Sequence, residues 1–241
     1  AFGEFQKQLA DLPGERLAET IPDVHNTRQR FQNFKAAVER DASGRAEDVR
    51  EEIDFVLARE ADCSRLVDTL GRGELPERVT HNDTKLNNVM LDPESGEAVC
   101  VIDLDTVMSG TALFDFGDLV RSAAMTGRED EPDLSLVGLD LECFGAIVDG
   151  YLDGTDGWLS DAETDRLVTS CKVMTYECGL RFLTDFLNGD RYFKTAYAEH
   201  NLIRCRTQFA LLERLEAETE TMQAMVEQKL TGGAQASFHA T

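Results

Sequence analysis

The chain has 241 residues, 42% of them hydrophobic, and a net charge of −22 that arises from 46 acidic and 24 basic residues. This length is enough to bury a full core and predicts one domain. The acidic balance argues against nucleic acid and anionic membranes as partners, since both require a basic surface. No apolar run has the length of a membrane span, and the six cysteines are dispersed without a C-x-x-C pair, which predicts a reduced, cytoplasmic protein.

Helices are predicted for most of the chain before residue 75. Apolar residues recur at intervals of three or four in residues 27–40 and 46–70, as expected for amphipathic helices. A shorter helix is predicted over residues 2–12, and it ends at Pro13-Gly14 because both residues interrupt helices.

A β-hairpin is predicted next. Residues 88–91 form a short strand, the run from Asp92 to Gly96 has the Asp, Pro and Gly typical of a turn, and residues 97–103 form a second, apolar strand. Helices are then predicted over 115–125, 139–151, 161–187 and 198–230, followed by a flexible Gly/Ala/Ser tail at 231–241. The predicted fold is therefore mainly α with a small β-hairpin (α+β), with residues 1–230 as one lobe.

The most informative motif is the run from His81 to Asn88, which reads H-x-D-x-K-x-x-N and is followed by Asp103 at the end of the second strand. Protein kinases place an Asp and an Asn at the same separation on the catalytic loop, with a metal-binding Asp downstream. Because phosphoryl transfer depends on positioning and charge neutralisation, this spacing predicts a phosphotransferase site over residues 78–105.

The motif assigns a role to each polar side chain. Asp83 is predicted to accept the proton of the attacking hydroxyl, and Lys85 to contact the transferred phosphate of ATP. Asn88 and Asp103 are predicted to hold Mg²⁺, which prefers such oxygen ligands. His81 is expected to support the loop through backbone hydrogen bonds rather than to take part in the chemistry.

A second candidate for the metal ligand is Asp115, because Asp115-Phe116-Gly117 spells the D-F-G of protein kinases. Asp103 is favoured because it directly follows the strand, whereas Asp115 opens a predicted helix. Asp105 is a candidate for a second metal or an outer contact. Asp115 is expected to cap its helix or to brace the catalytic loop.

The chain has no G-x-G-x-x-G loop and no strand-borne lysine equivalent to V-A-I-K, which are the kinase parts that cover and grip the nucleotide. We therefore expect the native protein to have an additional N-terminal nucleotide lobe, and the chain to be a C-terminal catalytic lobe; whether this lobe is active alone stays open.

The sequence resembles the aminoglycoside phosphotransferase and choline kinase superfamily over about residues 1–215. The segments H-N-D-T-K-L-N-N, V-I-D-L-D-T-V-M and F-D-F-G-D-L-V-R-S, with E-C-G-L-R-F-L-T-D-F-L and G-D-R-Y-F further on, are similar to those of the N-acetylhexosamine 1-kinases. The resemblance implies phosphorylation of the anomeric hydroxyl of N-acetylglucosamine or N-acetylgalactosamine with Mg²⁺ and ATP. It also implies that Arg181 and Tyr192 hold the sugar or its nascent phosphate.

Several alternatives stay open. Arg181 on its helix is also consistent with a surface ion pair, and Tyr192 with an aromatic residue at the edge of the core. His25 fits a loop histidine with satisfied hydrogen bonds as well as a residue of the sugar pocket, and Arg121 is expected to pair with a nearby carboxylate. A choline-type or aminoglycoside-type acceptor, or a non-catalytic lobe that only binds a ligand, are the alternative functions.

Overall fold

The computed structural model describes residues 1–13 and 16–238. Helices dominate these residues, which confirms the predicted mainly helical class. The α-helices are α1 (Phe2–Gln8), α2 (Thr27–Arg40), α3 (Arg50–Leu57), α4 (Glu60–Cys63), α5 (Arg65–Gly71), α6 (Ala112–Ala123), α7 (Leu141–Thr155), α8 (Asp161–Thr164), α9 (Leu167–Leu187), α10 (His200–Ala217) and α11 (Thr219–Phe238).

Helix α9 is the central element, and apolar residues surround it because it is buried on nearly all sides. Its first half, from Leu167 to Met174, packs with α6 and α7 in one apolar cluster. Its second half, from Tyr176 to Leu187, packs with α2, α3 and α10 in another. Because burial of an unpaired charge is costly, we expect the few charged residues of α9 either to have hydrogen-bonding partners or to face a cavity.

Two short antiparallel strand pairs lie at one edge of the helices. The predicted hairpin is confirmed as β2 (Val89–Leu91) and β3 (Ala98–Val101), joined by a turn in which the Asp92 carboxylate accepts hydrogen bonds from two backbone N–H groups. The second pair, β1 (Arg78–Thr80) with β4 (Met108–Gly110), was not predicted. Each strand of this pair has only three residues, too few for an alternating pattern to stand out.

Three predicted helices are interrupted in the structure. The 46–70 segment begins with a 3₁₀ turn and restarts twice, which lets Val56, Cys63 and Leu66 all face the core. The 161–187 segment is divided into α8 and α9; at the start of α8 the buried Glu163 accepts hydrogen bonds from Ser160 in a capping box and pairs with Arg78 of β1. The 198–230 segment is divided into α10 and α11.

The observed ends of two helices also differ from the predicted ends. Helix α1 ends at Gln8 rather than at residue 12, and Gly14 of the predicted break lies outside the described residues. Helix α11 continues through Phe238, so residues 231–238 are helical where a tail was predicted, and residues 239–241 lie outside the described part. Among the described residues, no helix is both long and apolar enough to cross a membrane.

Candidate active site

Two buried carboxylates on α6 fix the backbone on both sides of Asp83. Asp115 accepts hydrogen bonds from the backbone N–H groups of His81 and Asn82, each at 2.8 Å. Asp118 accepts one from the N–H of Thr84 at 2.9 Å. Asp83 thus sits on a loop whose peptide groups are held in place before any ligand binds.

The prediction that Asp115 braces the catalytic loop is confirmed. Its carboxylate is fully buried and also accepts a hydrogen bond from Gln6 Nε2 at 2.5 Å. Burial raises the pKa of Asp115, while the N–H donors of His81, Asn82 and Gln6 oppose that rise.

The glycine of the D-F-G letters has a packing role. A Cβ atom at Gly117 would lie 2.5 Å from the backbone oxygen of Ser170, so only glycine allows α6 to approach α9 this closely. The letters D-F-G therefore reflect bracing and packing here.

Asp118 is held by Arg121, as predicted for that arginine. Arg121 donates from Nε and Nη2 to Asp118 Oδ1, at 2.9 and 2.7 Å. Burial alone would raise the pKa of Asp118, but the Arg121 guanidinium outweighs it and holds the pKa below its usual value. Asp118 is therefore a charged acceptor for the Thr84 N–H group, which makes that hydrogen bond a strong one.

His81 ties the loop to the end of the hairpin. Its Nε2 lies 2.9 Å from the carbonyl oxygen of Ile102, and its own carbonyl oxygen accepts a hydrogen bond from Thr106 Oγ1 at 2.7 Å. The rings of Phe2 and Phe5 pack edge-on against the imidazole. These contacts match the predicted supporting role of His81.

The side chains of the motif meet at Asp83. Lys85 Nζ lies 2.6 Å from Asp83 Oδ2, and Asn88 Nδ2 donates to the same oxygen at 3.0 Å and to the Asp83 carbonyl oxygen at 2.8 Å. Both hydrogen bonds of the Asn88 side chain within the described chain are made by its nitrogen, which leaves the Oδ1 atom without a donor there.

The hairpin places the backbone of Asp103 close to that of Asn88. The Ile102 N–H group donates to the Asn88 carbonyl oxygen at 2.9 Å, so Asp103 follows directly after the residue paired with Asn88. Asp103 is exposed and adopts a left-handed backbone conformation with φ of 62°. An amide oxygen and a free carboxylate are suitable Mg²⁺ ligands, and Mg²⁺ commonly takes only one or two carboxylates from a protein. The donor set fits such a cation, and the metal roles of Asn88 and Asp103 stay predictions.

His25 holds the carbonyl group next to Asp83. Its Nδ1 lies 2.8 Å from Glu177 Oε1, and its Nε2 lies 3.1 Å from the Asn82 carbonyl oxygen. Both neighbours are acceptors, an arrangement that the two N–H groups of a doubly protonated imidazolium would satisfy. Burial alone would lower the pKa of His25, but the Glu177 carboxylate outweighs it and raises the pKa above its usual value. Thr27 Oγ1 completes the group by donating to Glu177 Oε2 at 2.5 Å.

A cavity of about 390 Å³ opens beside Asp83, and we name it the acceptor cavity. Its volume is within the range of small-molecule sites. Each of its four carboxylates has a basic neighbour: Asp83 has Lys85, Asp118 has Arg121, Glu129 has Arg204 and Glu177 has His25. The positively charged side chains on its wall are Lys85, Arg121, Arg181, Lys194 and Arg204.

Of the two residues predicted to hold the sugar, Arg181 lines the acceptor cavity and Tyr192 does not. The buried Nε atom of Arg181 has no hydrogen-bond partner among the described residues. Its guanidinium lies 5.5 Å from the centre of the Phe193 ring. Tyr192 is 64% exposed and shares a neighbouring cavity with Arg181 rather than the one that contains Asp83.

The model of the phosphotransferase enzyme family, abbreviated APH, matches residues 1–154 of the 241-residue chain. The chain belongs to the phosphotransferase enzyme family. Among solved structures it is similar to the choline kinase from Cryptosporidium parvum Iowa II, with 13% sequence identity and a TM-score of 0.49. The similarity covers 93% of this chain and 65% of that chain, so the chain spans less than two thirds of the choline kinase.

Membership of the phosphotransferase family confirms the coarse form of the resemblance that the sequence indicated. The matched residues include His81 to Asn88, the hairpin and helix α6. They end before α9, which carries Arg181.

Some contacts of this phosphotransferase site were not predicted from the sequence. The roles of Gln6 and Thr27 have no local signal, because each acts on a carboxylate more than a hundred positions away. Glu177 did have a signal: Glu177, Arg181 and Asp185 follow one another at intervals of four, which places them on one face of α9. Charged residues on one face of an otherwise apolar helix indicate buried partners or a binding cavity.

Proposed function

We propose that this member of the phosphotransferase family is the catalytic part of an ATP-dependent, Mg²⁺-dependent kinase that phosphorylates the anomeric hydroxyl of N-acetylglucosamine or N-acetylgalactosamine. The observation that supports it most is the position of Asp83. Its carboxylate lies at the wall of the acceptor cavity, on a loop whose backbone is fixed by Asp115 and Asp118.

In the proposed reaction, Asp83 Oδ accepts the proton of the acceptor hydroxyl as the oxygen forms a bond to the γ-phosphorus of ATP. The bond between that phosphorus and the β–γ bridging oxygen breaks, and ADP leaves. Lys85, now 2.6 Å from Asp83, would turn to the transferred phosphate and offset its charge. Asn88 and Asp103 would hold Mg²⁺, which supplies further neutralisation of phosphate charge when bound.

The charges of the acceptor cavity favour a neutral acceptor over choline or an aminoglycoside. A cationic acceptor would need free carboxylates or aromatic faces. All four carboxylates of the wall already have basic neighbours, and the rings of Phe182 and Phe193 already face Arg204 and Arg181. The five Lys and Arg side chains of the wall also outnumber its four carboxylates, so its net charge disfavours a cation. A neutral sugar with an acetamide group instead needs hydrogen-bond donors, and Arg181 offers an unpartnered one.

The test is a phosphorylation assay with Mg²⁺ and ATP on the protein as it occurs naturally, offered N-acetylglucosamine, N-acetylgalactosamine, choline and kanamycin in parallel. We expect a new phosphorus NMR signal from an anomeric phosphate with one or both sugars. Transfer to choline or kanamycin alone would preserve the kinase chemistry and overturn the proposed substrate. Sugar binding without transfer to any acceptor would favour a non-catalytic module.

The role of Asp83 is tested by Asp83→Asn, which removes the base and keeps the size of the side chain. We expect turnover to fall by about a hundred- to ten-thousand-fold, the usual contribution of a general base, while sugar binding is largely retained. Asp54→Asn, at an exposed site on α3, is the matched control. A near-normal rate in Asp83→Asn would contradict the assignment. The nucleotide lobe and the cytoplasmic location stay predictions.

A further inference from the structure

A second cavity of about 300 Å³ lies next to the acceptor cavity, and the two share Arg181 and Phe193. We name it the arginine cavity, because Arg30, Arg40 and Arg181 all line it. It is bounded by α2, by the end of α9 and by the segment that carries Tyr192. The kinase chemistry proposed above assigns no role to Arg30 or Arg40.

The three guanidinium groups lack ion-pair partners within the part of the chain that the structure describes. Arg30 donates only to the carbonyl oxygen of Val24, at 3.3 Å, and Arg40 only to Asn188 Oδ1, at 3.4 Å. The Nε atoms of Arg30 and Arg181 are buried and have no hydrogen-bond partner there. Buried donors without partners are uncommon in folded proteins and indicate a missing ligand or water.

The single carboxylate on the cavity wall is already fully used. Asp185 accepts hydrogen bonds from the backbone N–H groups of Arg191, Tyr192 and Phe193, at 2.8 to 2.9 Å. Its Oδ2 atom also accepts from Asn201 Nδ2 at 2.9 Å. These four donors hold the segment that forms the cavity wall, so Asp185 is not available to neutralise the arginines.

The positive charges of Arg30 and Arg181 also repel each other. Burial, and after it the positive charge of Arg181, lowers the pKa of Arg30. The carboxylates of Glu177 and Asp23 offset part of this positive charge, but among the described residues neither forms an ion pair with Arg30. A bound anion would relieve this repulsion and satisfy the free donors.

We propose that the arginine cavity is a binding site for a phosphate group, either of inorganic phosphate or of a phosphate monoester. The planar guanidinium matches phosphate oxygens in pairs, and a phosphate carries about −1.5 to −2 charges at neutral pH, which suits three arginines. The site is separate from the transfer site at Asp83 and Lys85, and it does not depend on the proposed kinase function. Because Arg181 lines both cavities, a phosphate bound here lies next to the acceptor.

The test measures binding by isothermal titration calorimetry at fixed ionic strength, without nucleotide or Mg²⁺. The probes are inorganic phosphate, N-acetylglucosamine 1-phosphate and, as the uncharged comparison, N-acetylglucosamine. The variants are Arg30→Gln and Arg40→Gln in this cavity and Lys85→Gln at the transfer site. Arg214→Gln is the matched control, since Arg214 is exposed on α10 and does not line this cavity. Thermal unfolding is recorded for each variant to confirm that it is folded.

We expect Arg30→Gln to weaken phosphate binding by about ten-fold or more, the loss of a charge-assisted hydrogen bond, and Arg40→Gln to weaken it less because Arg40 is exposed. Arg214→Gln should bind as the parent does. Preference for inorganic phosphate or for the monoester identifies the source of the phosphate group. If neither phosphate binds, or if Lys85→Gln abolishes binding while Arg30→Gln leaves it unchanged, the site is refuted, whatever the outcome of the phosphorylation assay.

Discussion

The catalytic loop and the end of the hairpin differ in how the protein holds them. On the loop, His81, Asn82 and Thr84 are buried and donate to carboxylates that are themselves buried. At the hairpin end, Asp103 is exposed and Leu104 is 53% exposed. Burial thus separates two kinds of acidic residue in this site. The buried carboxylates give the loop its shape, and the accessible ones are left for chemistry.

The largest effect expected from this difference between buried and accessible carboxylates is at Asp115. Asp115→Ala leaves the N–H groups of His81 and Asn82 and the amide of Gln6 without an acceptor in the core. We expect it to lower the free energy of unfolding by about 3–5 kcal/mol, since each buried donor left without an acceptor costs about 1–3 kcal/mol. Denaturant unfolding followed by circular dichroism measures this loss.

The matched control for this change is Asp92→Ala, at the exposed turn of the hairpin, where the carboxylate also accepts backbone hydrogen bonds but in water. Its cost should be about 1 kcal/mol or less. Equal costs for the two variants would contradict the view that burial decides which carboxylates hold the fold.

A second test concerns the pH dependence that His25 contributes. The pKa of His25 is raised in the folded state by Glu177 against the effect of burial, so the folded protein binds this proton more tightly than the unfolded chain does. The resulting stability is complete below the unfolded pKa of about 6.5 and is lost as the pH rises through the folded pKa. Asp118 and Arg181 also face the ring, and they respectively strengthen and weaken the effect.

His25→Gln keeps two polar contacts within reach but removes the charge. We expect a loss of about 1.5–3 kcal/mol at pH 6, typical of a hydrogen bond to a charged group, and a smaller loss at higher pH. The measurement is the denaturation midpoint of both proteins between pH 6 and pH 9. A difference that does not change with pH would show that His25 is neutral in the folded protein.

A third and smaller effect is expected at Asp185, which holds the segment with Tyr192 and Phe193. In Asp185→Asn the amide nitrogen would face the donors Phe193 N–H and Asn201 Nδ2, while the remaining oxygen can still accept from Tyr192. We expect a cost of about 1–2 kcal/mol and weaker binding of ligands in the arginine cavity. Hydrogen exchange of residues 191–193 measures the loosening, and unchanged exchange would contradict the role of Asp185.

The sequence predicted the parts of this site that depend on neighbouring residues. The loop motif, the hairpin and the helix 27–40 have local patterns, and the structure contains each of them. Asp115 was correctly expected to brace the loop because its position relative to the strand differs from that of a metal ligand.

The parts that the sequence missed depend on distant contacts. The pair of β1 with β4 joins residues about thirty positions apart in strands of three residues, and the carboxylate acceptors of Gln6 and His25 lie more than a hundred positions from them. The ion pair of Glu163 with Arg78 of β1 is likewise a tertiary contact without a local pattern.

The smallest effect on stability, with a large effect on turnover, is expected at Asp103. Asp103→Asn removes the charge, and asparagine tolerates the left-handed backbone at φ of 62°. Because the side chain is exposed, the free energy of unfolding should change by no more than about 0.5 kcal/mol. If Asp103 holds Mg²⁺, turnover should nevertheless fall by about a hundred-fold or more, since the charge stabilisation by the metal is worth several kcal/mol. Should Asp103→Asn keep its turnover while a folded Asp115→Asn loses Mg²⁺ dependence, the metal ligand is Asp115, and burial does not separate the two kinds of acidic residue.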